Sequence, residues 1–412
     1  MTDMAANDGQ ETLFFINNGT YCEQTSGGEI HFFHMIEAAV AAGRPVDIFG
    51  GHALKKKIDR LFPRGIPVTL TDRSQVKPFA AHTLGGQFRL LLDYGRRFIG
   101  SLKQLHKIKP SDCVYAVSDY WFDVLPLILC KAESKILIWH MQAPSLGQVI
   151  CRGRPDVDTL RIASLYYWAS QNFSLWLFRF CRNKRMLMVH PTMRGQLLAR
   201  GYRAAELTDI SFGVDVEKAV AARGQNKIYD AVWIGRVHRQ KGIDDLLATL
   251  AHLAGQIENF RAILIGDLRA ELLPEIERRG LARCVEFSGF VSEAEKFRLF
   301  HASRVFLMTS QFEGSPRVIA EALVCQVPVV AYEVETYRPI FGDFLRYVPC
   351  FNLKSFQDEA RLQIEQMRAG ANYLTRMNLG DFSQIHSWSA TAQVCLSAVE
   401  ELGETQKKPE RN

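Results

Sequence analysis

Short apolar runs bounded by glycine and polar residues recur along this chain, and they alternate with longer segments whose apolar positions repeat at helical spacing. Leu13–Ile16, Pro45–Phe49, Val68–Leu70, Cys113–Val117, Lys135–Trp139 and Met186–His190 are expected as strands. Between them, Glu29–Ala42, Gln87–Lys107, Trp121–Ala132, Leu160–Arg182 and Pro191–Arg200 are expected as helices. Ile210–Asp215 and the polar stretch AARGQNK then break the pattern as an interdomain linker would. The rhythm restarts with strands at Tyr229–Ile234, Ala262–Ile265, Val285–Phe287, Val305–Met308 and Val327–Tyr332. Helices are expected at Ile243–Leu253, Pro316–Cys325, Glu359–Arg368 and Trp388–Leu402. Strands alternating with helices on both sides of a linker imply two α/β domains with largely parallel sheets.

Candidate chemistry gathers at the carboxyl ends of these strands, where open parallel sheets bind ligands. Glu313 stands in the loop after Val305–Met308, followed by Gly314 and by Ser315 and Pro316, which suit the N-cap and first helical position of the next helix. Glu321 lies eight residues beyond Glu313. The helix N-terminus between the two carboxylates offers free N–H groups suited to a phosphate. A plainer alternative pairs Glu321 with Arg317 at i,i+4 spacing on a solvated face. Gly235–Lys241 is a basic loop containing Arg236, again at a strand end. Earlier in the chain, Gly27-Gly28 between a strand and a helix marks a tight turn or a phosphate loop. His140 ends a strand on the crevice side, and Asp119 is expected to cap the helix beginning at Trp121.

Composition narrows the class. At 412 residues the chain suits two to three domains. With 47% apolar and 23% charged residues it suits a globular fold, and no run approaches the roughly 18–20 apolar residues of a membrane span. The polar start MTDMAANDGQ reads as no secretory signal, and the nine cysteines, without a C-x-x-C pair, suit a reduced cytoplasmic compartment. Net charge is +6 overall, but Gly51–Pro110 alone carries 13 Lys/Arg against 3 Asp/Glu. That segment suggests an anionic partner, either a charged substrate or a membrane surface. The aromatic-rich Leu160–Arg182 reads as a buried helix or as an interfacial amphipathic one. Asp156-Val157-Asp158 has the D-x-D form of a metal-binding carboxylate pair but lacks a preceding strand, so no metal site is expected. The basic segment has no recognisable nucleic-acid reading motif.

Taken in order, these motifs resemble the retaining glycosyltransferases of the GT-B fold, family 4. The family's E-x7-E motif is matched by Glu313 and Glu321, and its G-R-x4-K-G loop by Gly235, Arg236, Lys241 and Gly242. Its N-G-V-D signature appears as Phe212-Gly213-Val214-Asp215, its glycine loop as Gly27-Gly28, and its crevice histidine as His140. Departures fall at Ser315-Pro316, Gln326 and Glu335-Thr336, where the family often has Phe-Gly, a glycine and a glycine pair.

The resemblance implies two Rossmann-like domains facing a cleft: residues 10–208 on the acceptor side, a linker at 209–226, and a nucleotide-sugar domain at 227–384. A last helix, 385–403, would cross back to the first domain, and the tail from Gly403 is expected to be disordered. The implied reaction transfers a sugar, expected to be a hexose, from a nucleotide diphosphate sugar to an acceptor hydroxyl with retention. Polysaccharide or glycolipid assembly is the implied setting, with a carbohydrate or lipid-linked acceptor; the basic segment Gly51–Pro110 adds an expected reversible affinity for the anionic inner face of the membrane. Glu313 would lie near the transferred sugar, bonding a hydroxyl or stabilising the cationic transition state, and His140 would contact the sugar or the diphosphate. Gly27, Gly28, Arg236, Lys241, Gly314, Ser315 and Glu321 would hold the donor, Glu321 through the ribose, without a metal or other cofactor. Two rivals share the fold: a nucleotide-sugar epimerase, and a binding protein that has lost turnover. Base, sugar and acceptor are left open.

Overall fold

The computed structural model describes residues 11–20, 27–73, 84–151 and 161–407. These form two compact units, one of residues up to Ser211 together with those from Thr391 onward, the other of Phe212–Ala390.

The first unit is built on a seven-stranded, all-parallel sheet. Its strands are β1 (Leu13–Asn17), β2 (Val46–Gly50), β3 (Val68–Leu70), β4 (Cys113–Ala116), β5 (Ser134–Trp139), β6 (Lys184–Met188) and β7 (Leu207–Asp209), in the spatial order β3-β2-β1-β4-β5-β6-β7. The central strands are covered on both faces, which is why they read as continuous apolar runs. Ala392, Cys395, Ala398, Val399 and Leu402 of the last helix, Trp388–Lys407, lie buried in this unit's core.

The second unit repeats the plan with six parallel strands: β8 (Tyr229–Ile234), β9 (Ala262–Ile265), β10 (Val285–Gly289), β11 (Ser303–Met308), β12 (Val329–Tyr332) and β13 (Arg346–Val348). Their order is β10-β9-β8-β11-β12-β13. Each sheet therefore reverses its direction of growth once, between β1 and β4 in the first unit and between β8 and β11 in the second. Such switch points open a crevice at the carboxyl ends of the strands.

Two α/β domains with parallel sheets are thus what the molecule has, with local corrections. The strands β7 and β13 were not expected. Both are three-residue edge strands, Leu-Thr-Asp and Arg-Tyr-Val, too short to show a period. Gly27 and Gly28 occupy the first turn of the helix Gly27–Ala41 rather than a loop before it. The helix after Glu313 runs Arg317–Val324, so Pro316 and not Ser315 is its cap residue. Residues 403–407 are helical rather than disordered, because Leu402 and Gly403 are still buried at that point. Asp119 does not cap the helix Trp121–Leu129; Tyr120 holds that position without a side-chain bond.

Candidate functional site

In the second unit the loops leaving β8 and β11 meet at the switch point. After β8 the chain makes a short 3-10 turn, Arg239–Lys241, and passes through Gly242 at φ +61°. A Cβ there would stand 2.1 Å from the Thr309 carbonyl oxygen, so both backbone conformation and space require glycine. Gln311 N–H donates to the Gln240 carbonyl at 2.8 Å. The Thr309 hydroxyl donates to the Lys241 carbonyl at 2.8 Å and accepts from the Trp233 indole at 3.1 Å. These bonds hold the two loops as one structure.

That structure brings the two chemically important side chains into contact. Lys241 Nζ lies 2.5 Å from Glu313 Oε1, with both side chains mostly enclosed. Arg236 differs: it is exposed and makes no hydrogen bond or ion pair among the described residues. Gly314 and Ser315 follow Glu313 in the same loop, both half-buried. Thr336, at a position where the resemblance leads one to expect glycine, donates its hydroxyl to the Glu313 carbonyl at 2.9 Å and so props that loop from the β12 side. Beside it, Tyr337 is fully buried, and its hydroxyl oxygen has no hydrogen-bond partner.

Glu321 belongs to a second ion cluster. It is 2% exposed, and its Oε1 takes both Lys296 Nζ at 2.7 Å and Arg317 Nε at 2.9 Å. Burial by itself would raise the carboxyl pKa, but the two cations outweigh it and hold the group below its ordinary value, hence ionised. The i,i+4 pair with Arg317 exists, but on a buried face rather than a solvated one. The cluster continues outward: Lys296 lies 3.7 Å from Glu293, Glu293 lies 3.3 Å from Lys218, and Lys218 lies 2.6 Å from Asp215. Asp215 also caps the helix Val216–Ala221 by accepting the Lys218 N–H at 2.9 Å. Lys296 carries no spacing signal and sequence reasoning passed over it, while Thr336 was noticed only as a departure from a glycine.

The first unit presents a different kind of edge. His140, at the end of β5, points its Nε2 at the first turn of the helix Gly27–Ala41. A Cβ on Gly28 would lie 3.2 Å from that nitrogen, so a larger residue would press on the ring. His140 Nε2 is enclosed and has no hydrogen-bond partner within the protein. Burial lowers the imidazole pKa to about 4, although a bond with the Val117 backbone works the other way. The His31 ring lies 6.0 Å away, and burial followed by repulsion from His140 and His34 lowers its pKa to about 3. Both rings are neutral at pH 7.

Beneath this edge lies a buried polar network. Asp123 accepts the Asn18 N–H at 2.7 Å and the Ser118 hydroxyl at 2.5 Å, and burial pushes its carboxyl up to about 7. Asp119 accepts from Gln171 Nε2 at 2.5 Å and is pushed up by burial to about 6. Arg97, 1% exposed, reaches in from the helix Leu84–Gln104 to donate to the Asn18 carbonyl at 2.9 Å and to the Thr20 carbonyl. It is paired with Asp93 at 2.7 Å and Asp72 at 3.5 Å. Among the described residues no three His, Cys, Asp or Glu side chains converge as metal ligands would. Asp156 and Asp158 lie outside the described residues.

A family model accounts for the charged half of this picture. Residues 217–365 match the Glycosyl transferases group 1. The match runs from just after Asp215 through both Lys241–Glu313 and the Glu321 cluster. Among curated proteins, the amylovoran biosynthesis glycosyltransferase AmsD of Erwinia amylovora is 32% identical over 120 residues, covering 28% of this chain and 32% of that protein. The chain therefore spans about a third of that relative's length. Among solved structures, sucrose-phosphate synthase from Thermosynechococcus elongatus superposes with a TM-score of 0.68 at 18% identity, over 96% of this chain and 100% of that one. Anabaena Alr3699/HepE, in complex with UDP and glucose, gives 0.66 at 18% identity, over 95% and 100%. The fold of this chain is GT-B.

Proposed function

We propose that this chain is a retaining family 4 glycosyltransferase that moves a hexose from a nucleotide diphosphate sugar to an acceptor hydroxyl in polysaccharide or glycolipid assembly. The observation that carries this reading is the Lys241–Glu313 contact of 2.5 Å beside an unpaired Arg236 at the β8/β11 switch point. Breaking an anomeric bond builds positive charge on the sugar and negative charge on the departing diphosphate, and a site must meet both. Arg236 presents a planar fork to phosphate oxygens, and Lys241 a compact charge. When the diphosphate takes up the Lys241 ammonium, Glu313 is released toward the sugar. Its carboxylate then faces a hydroxyl or the cationic carbon. The two cations supply the charge a divalent ion would otherwise bring. Glu321, kept ionised, takes the ribose hydroxyls, and neutral His140 serves the sugar or diphosphate as hydrogen-bond partner.

The reading extends to a lipid-linked acceptor at an anionic membrane on the cytoplasmic side. In the helix Leu84–Gln104, exposed Phe88, Leu92 and Ile99 share a face with exposed Arg89, Arg96 and Lys103. In the helix Arg161–Phe178, Ile162, Leu165, Phe173 and Trp176 form an exposed stripe rather than a buried one. The helix Trp121–Leu129 packs against both of these helices. No described helix is long and apolar enough to cross a membrane. Apolar and basic residues on one helical face suit the headgroup boundary, at about 1 kcal/mol per nearby Lys or Arg.

A thermal-shift panel of UDP, GDP and ADP identifies the donor nucleotide. The responding nucleotide, supplied as its sugar, should then give a transfer product of unchanged anomeric configuration by NMR. No stabilisation by any of the three, or conversion of the donor sugar without an acceptor, would displace the transferase reading. Flotation with anionic vesicles should show binding at low salt that is lost at high salt. Absence of binding at low salt removes the membrane part alone.

A further inference from the structure

The Glu321 cluster contains a residue that nothing so far assigns. Lys296 sits in the helix Glu293–His301, is 8% exposed, and places its ammonium 2.7 Å from Glu321 Oε1. A lysine buried to this degree is costly unless paired, so it is held there by a specific partner. Arg317 already supplies Glu321 with one cation on its own helix at i,i+4 spacing. The second cation comes from another helix and lands on the same oxygen, Oε1. Two donors converging on one oxygen fix the rotation of the carboxylate as well as its charge. Oε2 is left without a partner among the described residues.

We propose that Lys296 is a positioning residue for the nucleotide: by clamping Glu321 Oε1 it presents Oε2, fixed in direction, to the ribose hydroxyls of the donor. This rests on the reading of Glu321 as the ribose carboxylate and adds the device that makes it selective for a ribose over a sugar without hydroxyls. With Lys296 removed, Arg317 keeps a carboxylate in place but lets it turn, so contacts to the base and diphosphate persist while the ribose contact is lost.

The test compares UDP, GDP and ADP with their 2′,3′-dideoxy counterparts by calorimetric titration of the intact chain. Wild type should bind the preferred ribonucleotide about tenfold to a hundredfold more tightly than its dideoxy form, as expected for hydrogen bonds to a charged group. Lys296→Met should bring that ratio to within about threefold by weakening the ribonucleotide only, and Lys296→Arg should restore most of it. A general structural role would weaken both forms together and leave the ratio unchanged. If the methionine variant fails to fold by circular dichroism, Lys296→Gln is measured in its place and judged in the same way. A wild-type ratio in the uncharged variant overturns the positioning role while leaving the donor reading standing. If wild type binds no nucleoside diphosphate, the donor reading and this inference fail together.

Discussion

The two units carry the same architecture and place different electrostatics at their switch points. At the switch point of the second, the functional candidates are full charges in pairs: Lys241 with Glu313, and Glu321 with Lys296 and Arg317. At the corresponding edge of the first, burial shifts several groups toward their neutral forms, beside the paired cluster of Arg97, Asp93 and Asp72. His140 and His31 are pushed down to about 4 and 3, and Asp119 and Asp123 up to about 6 and 7. The contrast teaches that one kind of parallel-sheet edge can be lined by paired charges or by groups that burial holds nearer neutrality. Fixed charges suit a leaving group on which charge builds as a bond breaks. Neutral hydrogen-bonding groups suit a sugar or a hydroxyl, which would be poorly served by a strong local field.

Three experiments press on this contrast, beginning with the largest effect. Stopping the chain at Ser387 removes Ala392, Cys395, Ala398, Val399 and Leu402 from the first unit's core. At roughly 1–2 kcal/mol for each larger side chain, the first unit should lose on the order of 5 kcal/mol, while the second keeps its own core. Limited proteolysis during heating should show the first unit cut first. An unchanged melting profile would deny that the last helix contributes there.

Next comes Lys241→Ala. If the ammonium meets charge that grows as the bond breaks, kcat should fall by about 10²–10³, with donor affinity falling as well. Activity should survive EDTA. Near-normal turnover in the variant, or loss on chelation with recovery on adding magnesium or manganese, would return attention to Asp156 and Asp158.

The smallest effect concerns acid. His140 in the folded unit takes a proton only near pH 4, whereas the unfolded chain takes one near 6.5. Its contribution to stability is therefore full above about 6.5 and lost as pH falls toward 4, by at most about 3 kcal/mol. His140→Gln should melt less differently at pH 5 and pH 7.5 than wild type does, with His31 leaving a residual slope of the same sign. Equal acid sensitivity in the two proteins would mean that His140 is solvated rather than enclosed.

Much of the fold could be read from the chain because central parallel strands must be apolar on both faces, as Phe14–Ile16 and Phe306–Met308 are. The three-residue edge strands β7 and β13 escaped because one side of each is wet and neither is long enough to establish a period. In the site, spacing grouped Arg236 with Lys241 and Glu313 with Glu321, since each pair shares a loop or a loop and its helix. What spacing could not give is the pairing across groups. Lys241 meets Glu313, and Lys296 meets Glu321, because the sheet order sets β8 beside β11, and a helix between distant strands delivers the second lysine. Thr336 likewise read only as a missing glycine. Its role as a prop for Glu313 depends on where β12 ends.

The Leu84–Gln104 helix divides its duties by face, and that division bears on how the chain can diverge. Its inner residues Asp93 and Arg97 are committed to the carbonyls and carboxylates around Asn18, so almost any replacement there strands buried charge. Its outer residues Phe88, Leu92 and Ile99 touch little of the fold. Selection can therefore rewrite the outer face, from oily to polar or from basic to acidic, with little effect on stability. Descendants of this chain could change the chemistry of that outer face while the interior that shapes the first unit's edge stays the same.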